Sequence, residues 1–158
     1  MASPKLNDIK KELNFLSEEQ MKALILRLSK YKKENKELLS YLIFDSHDEH
    51  SFVLKVKREI DDQFDSLSAG NLYLVKKALR KILRIVSKYI RFSGIKQTET
   101  ELLIYFAQKM KMAGYTNTKN VMLNNLFNQH CLKIEKSIIN LHEDLQYDYK
   151  KDLESLKN

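Results

Sequence analysis

Apolar positions in this chain recur at steps of three and four residues almost throughout, the spacing of a helix face rather than of a strand. Leu6, Ile9 and Leu13 share a face of a short helix over Lys5 to Asn14 that Pro4 opens. Met21, Leu24, Ile25 and Leu28 form the stripe of a second helix, and Leu38, Leu39, Leu42 and Ile43 that of a third. The polar run 30–37 between them predicts a turn near Glu34-Asn35. Phe52, Val56, Ile60 and Phe64 recur every fourth residue, with Val53 beside them, and predict a buried stripe. After the linker 66–70 comes a helix over Asn71 to Phe92. The segment starting LLIYFAQKMKMA is apolar nearly all round, which places it at the centre of a core. From Val121, helical spacing continues through Leu123, Leu126, Phe127, Cys131, Ile134, Ile138, Leu141 and Leu145 to about Gln146, as one helix or two. The tail 147–158 predicts a last helix with Tyr149, Leu153 and Leu156 inward.

Boundary signals agree with this division. Ser17-Glu-Glu-Gln20, Ser46-His-Asp-Glu49 and Thr98-Glu-Thr-Glu101 are capping-box patterns, in which the hydroxyl and the side chain three residues on bond reciprocally to backbone N–H groups. Gly70-Asn71 and Ser93-Gly94 bracket the 71–92 helix, and Gly114 is placed as a C-terminal cap before a polar bend over 116–120. Three glycines and one proline in 158 residues are too few for a sheet protein with tight turns. The expected fold is all-α: a single domain over 1–158, with seven to nine helices packed largely as antiparallel hairpins around the basic amphipathic helix 71–92.

Charge singles out that helix. Residues 71–92 hold Lys76, Lys77, Arg80, Lys81, Arg84, Lys88 and Arg91 and no acid, which equals the net charge of +7 of the whole chain. At about 100° per residue, Lys77, Arg80, Lys81, Arg84, Lys88 and Arg91 fall on one side. Leu72, Val75, Leu79, Leu83, Val86 and Ile90 fall on the other, flanked by Ile82 and Tyr89. The six cations are the candidate polyanion-binding residues, because evenly spaced charges on a rod neutralise phosphates without reading bases. Tyr73 is the one aromatic near them and no amide is interleaved, so neither base stacking nor base-edge readout is supplied. The opposing reading is that the ridge is an ordinary solvated face, or pairs with Glu59, Asp61, Asp62 and Asp65, an acidic cluster at a helix C-terminus, where carboxylates call for a cationic partner.

The blocks LSEEQMKALILRLSKYKKENKELLSYL, VLKVKREIDDQF, LVKKALRKI and ETELLIYFAQKMKMAGYTN together resemble a bacterial family of short all-helical proteins of unknown function. The resemblance covers most of the chain and rests on helix-packing patterns. It implies an all-helical domain in a bacterium, and implies no activity, cofactor or catalytic residue.

No constellation for catalysis stands out. His47 and His50 in DSHDEH have acids among them and are a weak metal-ligand candidate, but a polar loop with a helix cap uses the same letters. His130 and Cys131 are adjacent, so on a helix they point about 100° apart and do not form a nucleophile–base pair. His142-Glu143-Asp144 is placed on a solvent-facing part of a late helix. Asn117, Asn120, Asn124, Asn125, Asn128 and Gln129 make an amide-rich stretch whose simplest reading is a solvated face. There is no glycine-rich phosphate loop and no G-x-S-x-G elbow, so no cofactor is expected. The single cysteine excludes an intrachain disulfide, no apolar run approaches a membrane span, and the N-terminus has no signal core. A cytoplasmic protein without membrane contact is expected. The expected function is a non-catalytic helical protein-interaction or scaffold module, with a protein partner or self-association. The alternative is binding of nucleic acid, without sequence preference, through the basic ridge.

Overall fold

The computed structural model describes residues 3–68 and 70–158; the first two residues, and Ala69 of the expected linker, lie outside the described residues. Eight α-helices and one π-helical turn account for the regular structure among them. The chain divides into two compact units, Met1–Phe44 and Asp45–Asn158.

The first unit holds α1 (Leu6–Leu13), α2 (Glu18–Tyr31) and α3 (Lys33–Ser40), followed by the π turn Tyr41–Asp45 at its boundary. Ser17 caps α2 as its sequence predicts: its Oγ accepts from the Gln20 N–H at 3.1 Å, and the Ser17 N–H donates to the Gln20 side chain at 2.9 Å. The break between α2 and α3 is at Lys32, which is extended, and not at Glu34-Asn35, which lie within α3. The Asn35 side chain explains the displacement. Its Nδ2 donates to the Leu28 carbonyl at 2.8 Å, fastening the start of α3 to the end of α2. Among the described residues of this unit only Tyr41 is buried.

The second unit holds α4 (Glu49–Asp65), α5 (Leu72–Ser93), α6 (Lys96–Met112), α7 (Val121–Ile139) and α8 (Glu143–Lys157). Helix α6 is central and touches α4, α5, α7 and α8. Its near-uniform apolarity follows from that position, since Leu102, Leu103, Ile104, Phe106, Ala107 and Met110 are all buried. The α4 stripe Phe52, Val53, Val56, Ile60 and Phe64 is buried as expected. Phe64 and α7's His130 both pack against Phe106, with ring centroids 5.6 and 4.9 Å away. Leu153 and Leu156 face inward from α8, while Tyr149 is half-buried.

Two of the three expected capping boxes do not form. Asp48, not Ser46, caps α4, accepting from the Ser51 N–H at 3.1 Å. Helix α6 begins at Lys96 without a side-chain cap, so Thr98 and Thr100 lie within it and are buried. Their hydroxyls serve tertiary contacts instead: Thr98 donates to Glu49 at 2.7 Å and Thr100 to Ser137 at 2.9 Å. The α6 C-terminus closes as its sequence predicts. Gly114 is left-handed (φ 78°), its N–H donates to the Lys111 carbonyl, and the Tyr115 N–H donates to the Met110 carbonyl, both at 3.0 Å. The span 121–146 is two helices, broken at 140–142, where the Gln146 amide donates to the Leu141 carbonyl at 2.8 Å.

Candidate functional site

Helix α5 forms where the charge pattern places it. The Asn71 side chain accepts from the Tyr73 N–H at 2.9 Å, and Gly94 ends the helix in the left-handed conformation at φ 66°. Val75, Leu79, Ile82, Val86 and Phe92 are buried. The buried stripe is rotated slightly from the expected one: Ile82 is fully enclosed, Leu83 and Ile90 are half-buried, and Leu72 is exposed. Helix α5 packs against both α4 and α6.

The cations stand opposite that stripe. Lys77, Arg80, Lys81, Arg84 and Arg91 are exposed, while Lys76 and Lys88 are half-buried. The Lys88 ammonium lies 4.7 Å from the centre of the Tyr89 ring, and both Lys88 and Arg91 are engaged within the chain. Lys77, Arg80, Lys81 and Arg84 make no ion pair among the described residues.

The acidic cluster of α4 turns elsewhere. Glu59 accepts from the Tyr89 hydroxyl at 2.6 Å, on the flank of α5 rather than on its ridge. Asp61 accepts from the Tyr105 hydroxyl at 2.8 Å and pairs with Lys109 at 2.9 Å, both on α6. Burial raises the Asp61 pKa, and the bonds from Lys109 and Tyr105 more than offset this, leaving the carboxyl below its ordinary value. Burial and the Asp61 carboxylate together push the Tyr105 hydroxyl up to about 12. Asp62 and Asp65 are exposed. Within the cluster, Asp61 therefore takes its cationic partner, Lys109, from α6.

Other singled-out residues have local roles. His47 and His50 are exposed beside Asp48, whose carboxylate is held low by its bonds from Ser51. Among the described residues no group of three or more His, Cys, Asp or Glu side chains is placed to hold a metal ion. His130 is buried, and its Nε2–H donates to the Leu103 carbonyl at 2.7 Å, leaving Nδ1 without a partner among the described residues. Burial pushes its pKa down to about 4; the Leu103 bond opposes this and the charge of Lys133 adds to it. Cys131 is buried, and burial pushes its thiol up. A neutral imidazole and a protonated thiol supply no activated nucleophile. His142 caps α8 and is exposed.

The amide-rich stretch is partly architectural. Asn120 caps α7, and the Asn124 side chain accepts from the Thr118 N–H at 2.9 Å and donates to the Thr118 carbonyl at 2.6 Å. Asn117, Asn128, Phe127 and Cys131 line an open cavity of about 790 Å³ that reaches Leu156 of α8.

Two surfaces have no local explanation. In the first unit Ile9, Leu13, Met21, Leu24, Ile25, Leu28 and Leu42 are exposed. A groove of about 290 Å³ between α2 and α3 is lined by Ile25, Leu28, Leu38, Leu39 and Leu42. In the second unit a groove of about 360 Å³ lies where α5, α6 and α7 meet, with Arg91, Lys133 and Lys136 along it. The two α7 lysines belong to a segment of mixed charge, so composition alone does not link them to the ridge.

No family model, curated protein or solved structure matches the chain. Among the described residues no helix is long and apolar enough to cross a membrane.

Proposed function

We propose that this protein is a non-catalytic helical interaction module that self-associates through its N-terminal unit. The observation that carries this reading is the exposure of the α1 and α2 apolar stripes, with no buried residue in α1, α2 or α3. A short helical hairpin gains most of its stability from tertiary burial of its apolar face, and α2 and α3 bury little of theirs against each other. A second copy supplies the matching surface, because two such hairpins close on one another as a four-helix bundle. Sedimentation velocity over a concentration series tests this. The wild type should form a dimer, and Ile25→Glu with Leu28→Glu should return it to a monomer, since both side chains line the α2–α3 groove. A wild type that stays monomeric, or a double variant that dimerises as before, would refute it.

One observation favours a second activity. Lys77, Arg80, Lys81 and Arg84 present an open cationic row, which supports binding of nucleic acid through its phosphates without sequence preference. If these four cations each neutralise one phosphate of a duplex, log affinity falls with log salt at a slope of about −3.6. Fluorescence anisotropy with labelled oligonucleotides at low and rising salt measures it. Absence of binding to duplex and to single strands at low salt excludes this activity.

A further inference from the structure

The groove between α5 and α7 extends the ridge onto a second helix. Arg91, at the C-terminal end of the α5 row, lies on one side of it, and Lys133 and Lys136 of α7 lie on the other. Helix α6 passes beneath and contributes Leu103 and Glu99. Ser87 and Asn140 add a hydroxyl and an amide. Lys133 and Lys136 are exposed and make no ion pair among the described residues. Arg91 is already engaged within the chain, and Ser137 spends its hydroxyl proton on the Ile134 carbonyl at 2.8 Å, so the two lysines are the open charges. Against three cations Glu99 is the one acid of the lining, and the groove is net positive.

Shape adds to charge. The α5 row is a convex rod that either a duplex or a single strand can lie along. The groove is concave, with a volume of about 360 Å³. That is room for a phosphate and its sugar, not for a duplex. A flexible strand can leave the rod and dip between the helices, whereas a duplex, stiff over ~150 base pairs, cannot. No aromatic lines the groove, so bases have nothing to stack on and the recognised chemistry is the sugar-phosphate backbone.

We infer that the α5–α7 groove is a backbone site for single-stranded nucleic acid, with Lys133 and Lys136 contacting phosphates of a strand that continues from the α5 row. The inference rests on the second activity proposed above and adds to it the substrate class and the α7 contacts.

The test compares three variants by salt-dependent anisotropy on single-stranded DNA, single-stranded RNA and duplex DNA. Lys133→Gln with Lys136→Gln removes the groove contacts, and Arg80→Gln with Arg84→Gln removes part of the row. Lys119→Gln with Lys150→Gln, two exposed lysines that belong to neither the row nor the groove lining, takes the same charge from the whole molecule. The substituted groove side chains are exposed, and unchanged thermal unfolding shows that the fold is kept. The groove variant should lower the single-strand salt slope by about 1.4 and leave the duplex slope unchanged. The row variant should weaken both ligands, and the control should change neither. DNA and RNA strands should respond alike, because the backbone phosphates are the common group. If the wild type binds no nucleic acid, both the activity and the groove fail. If it binds and the row variant weakens it while the groove variant does not, the activity stands and the groove is overturned. The groove is equally overturned if the control lowers the slope as much, or if the duplex slope falls with the single-strand slope.

Discussion

Replacing His130 by Gln should flatten the acid side of this protein's stability profile. The imidazole is enclosed by the second unit's core, its Nε2–H donates to the Leu103 carbonyl, and Nδ1 has no partner among the described residues. A proton on Nδ1 would place a charge where water cannot reach it. Burial, opposed by the Leu103 bond and reinforced by Lys133, therefore holds the folded-state pKa at about 4. In the unfolded chain an ordinary histidine has a pKa of ~6.5, so the unfolded state takes the proton first as pH falls. The contribution to stability is complete above about pH 6.5, declines below it, and is used up near pH 4. A depression of this size corresponds to roughly 3 kcal/mol. Glutamine can keep the donor to Leu103 but cannot be protonated. It also loses the edge contact between His130 and Phe106, a loss that applies at every pH and shifts the curve without tilting it. Urea unfolding followed by circular dichroism between about pH 7 and pH 4 measures both effects. The wild type should lose roughly 3 kcal/mol more than His130→Gln over that range. Asp61, held below its ordinary value, loses its contribution mainly at lower pH and does not produce the same tilt. Parallel curves for the two proteins would refute the reasoning.

The remaining predictions concern packing, backbone and charge. Leu79→Ala removes a fully enclosed side chain from α5 and should cost about 2–5 kcal/mol by urea unfolding, whereas Tyr73→Ala, at an exposed position of the same helix, should stay within about 0.5 kcal/mol. Gly114→Ala places a Cβ on a residue at φ 78°; space is open around it, so the expected loss is the left-handed backbone penalty of about 1–2 kcal/mol, read as a lower urea midpoint. Asp61→Asn removes the charge that helps hold Tyr105 protonated, so spectroscopic titration should show a tyrosine ionising below the wild-type value of about 12. Ser17→Ala deletes the side-chain half of the α2 cap and should lower helicity of the first unit, at a cost of about 1 kcal/mol.

Much of the secondary structure was legible because periodicity and end signals act locally. Helix α5 runs from Leu72 to Ser93 against an expected 71–92, and α6 is as central as its all-round apolarity implies. The capping box at 46–49 gave way to Asp48, which caps α4 itself, and the one at 98–101 misled for a physical reason. A hydroxyl followed by a carboxylate three residues on also recurs inside a helix, where the same groups reach other helices. Thr98 and Thr100 do so, and Glu101 meets Lys57 at 2.6 Å instead of bonding back to its own helix.

By itself the sequence determined that the chain is all-helical, where most helices lie, and that six cations share one side of α5. Those properties follow from spacings of a few residues, which a helix of fixed pitch converts directly into faces. The tertiary structure decided which charges meet. Asp61 meets Lys109 across 48 positions, while Lys133 and Lys136 come beside Arg91 over a groove. Such meetings depend on the rotation at which each helix docks onto α6, and that rotation is set by how whole apolar surfaces fit rather than by any local pattern.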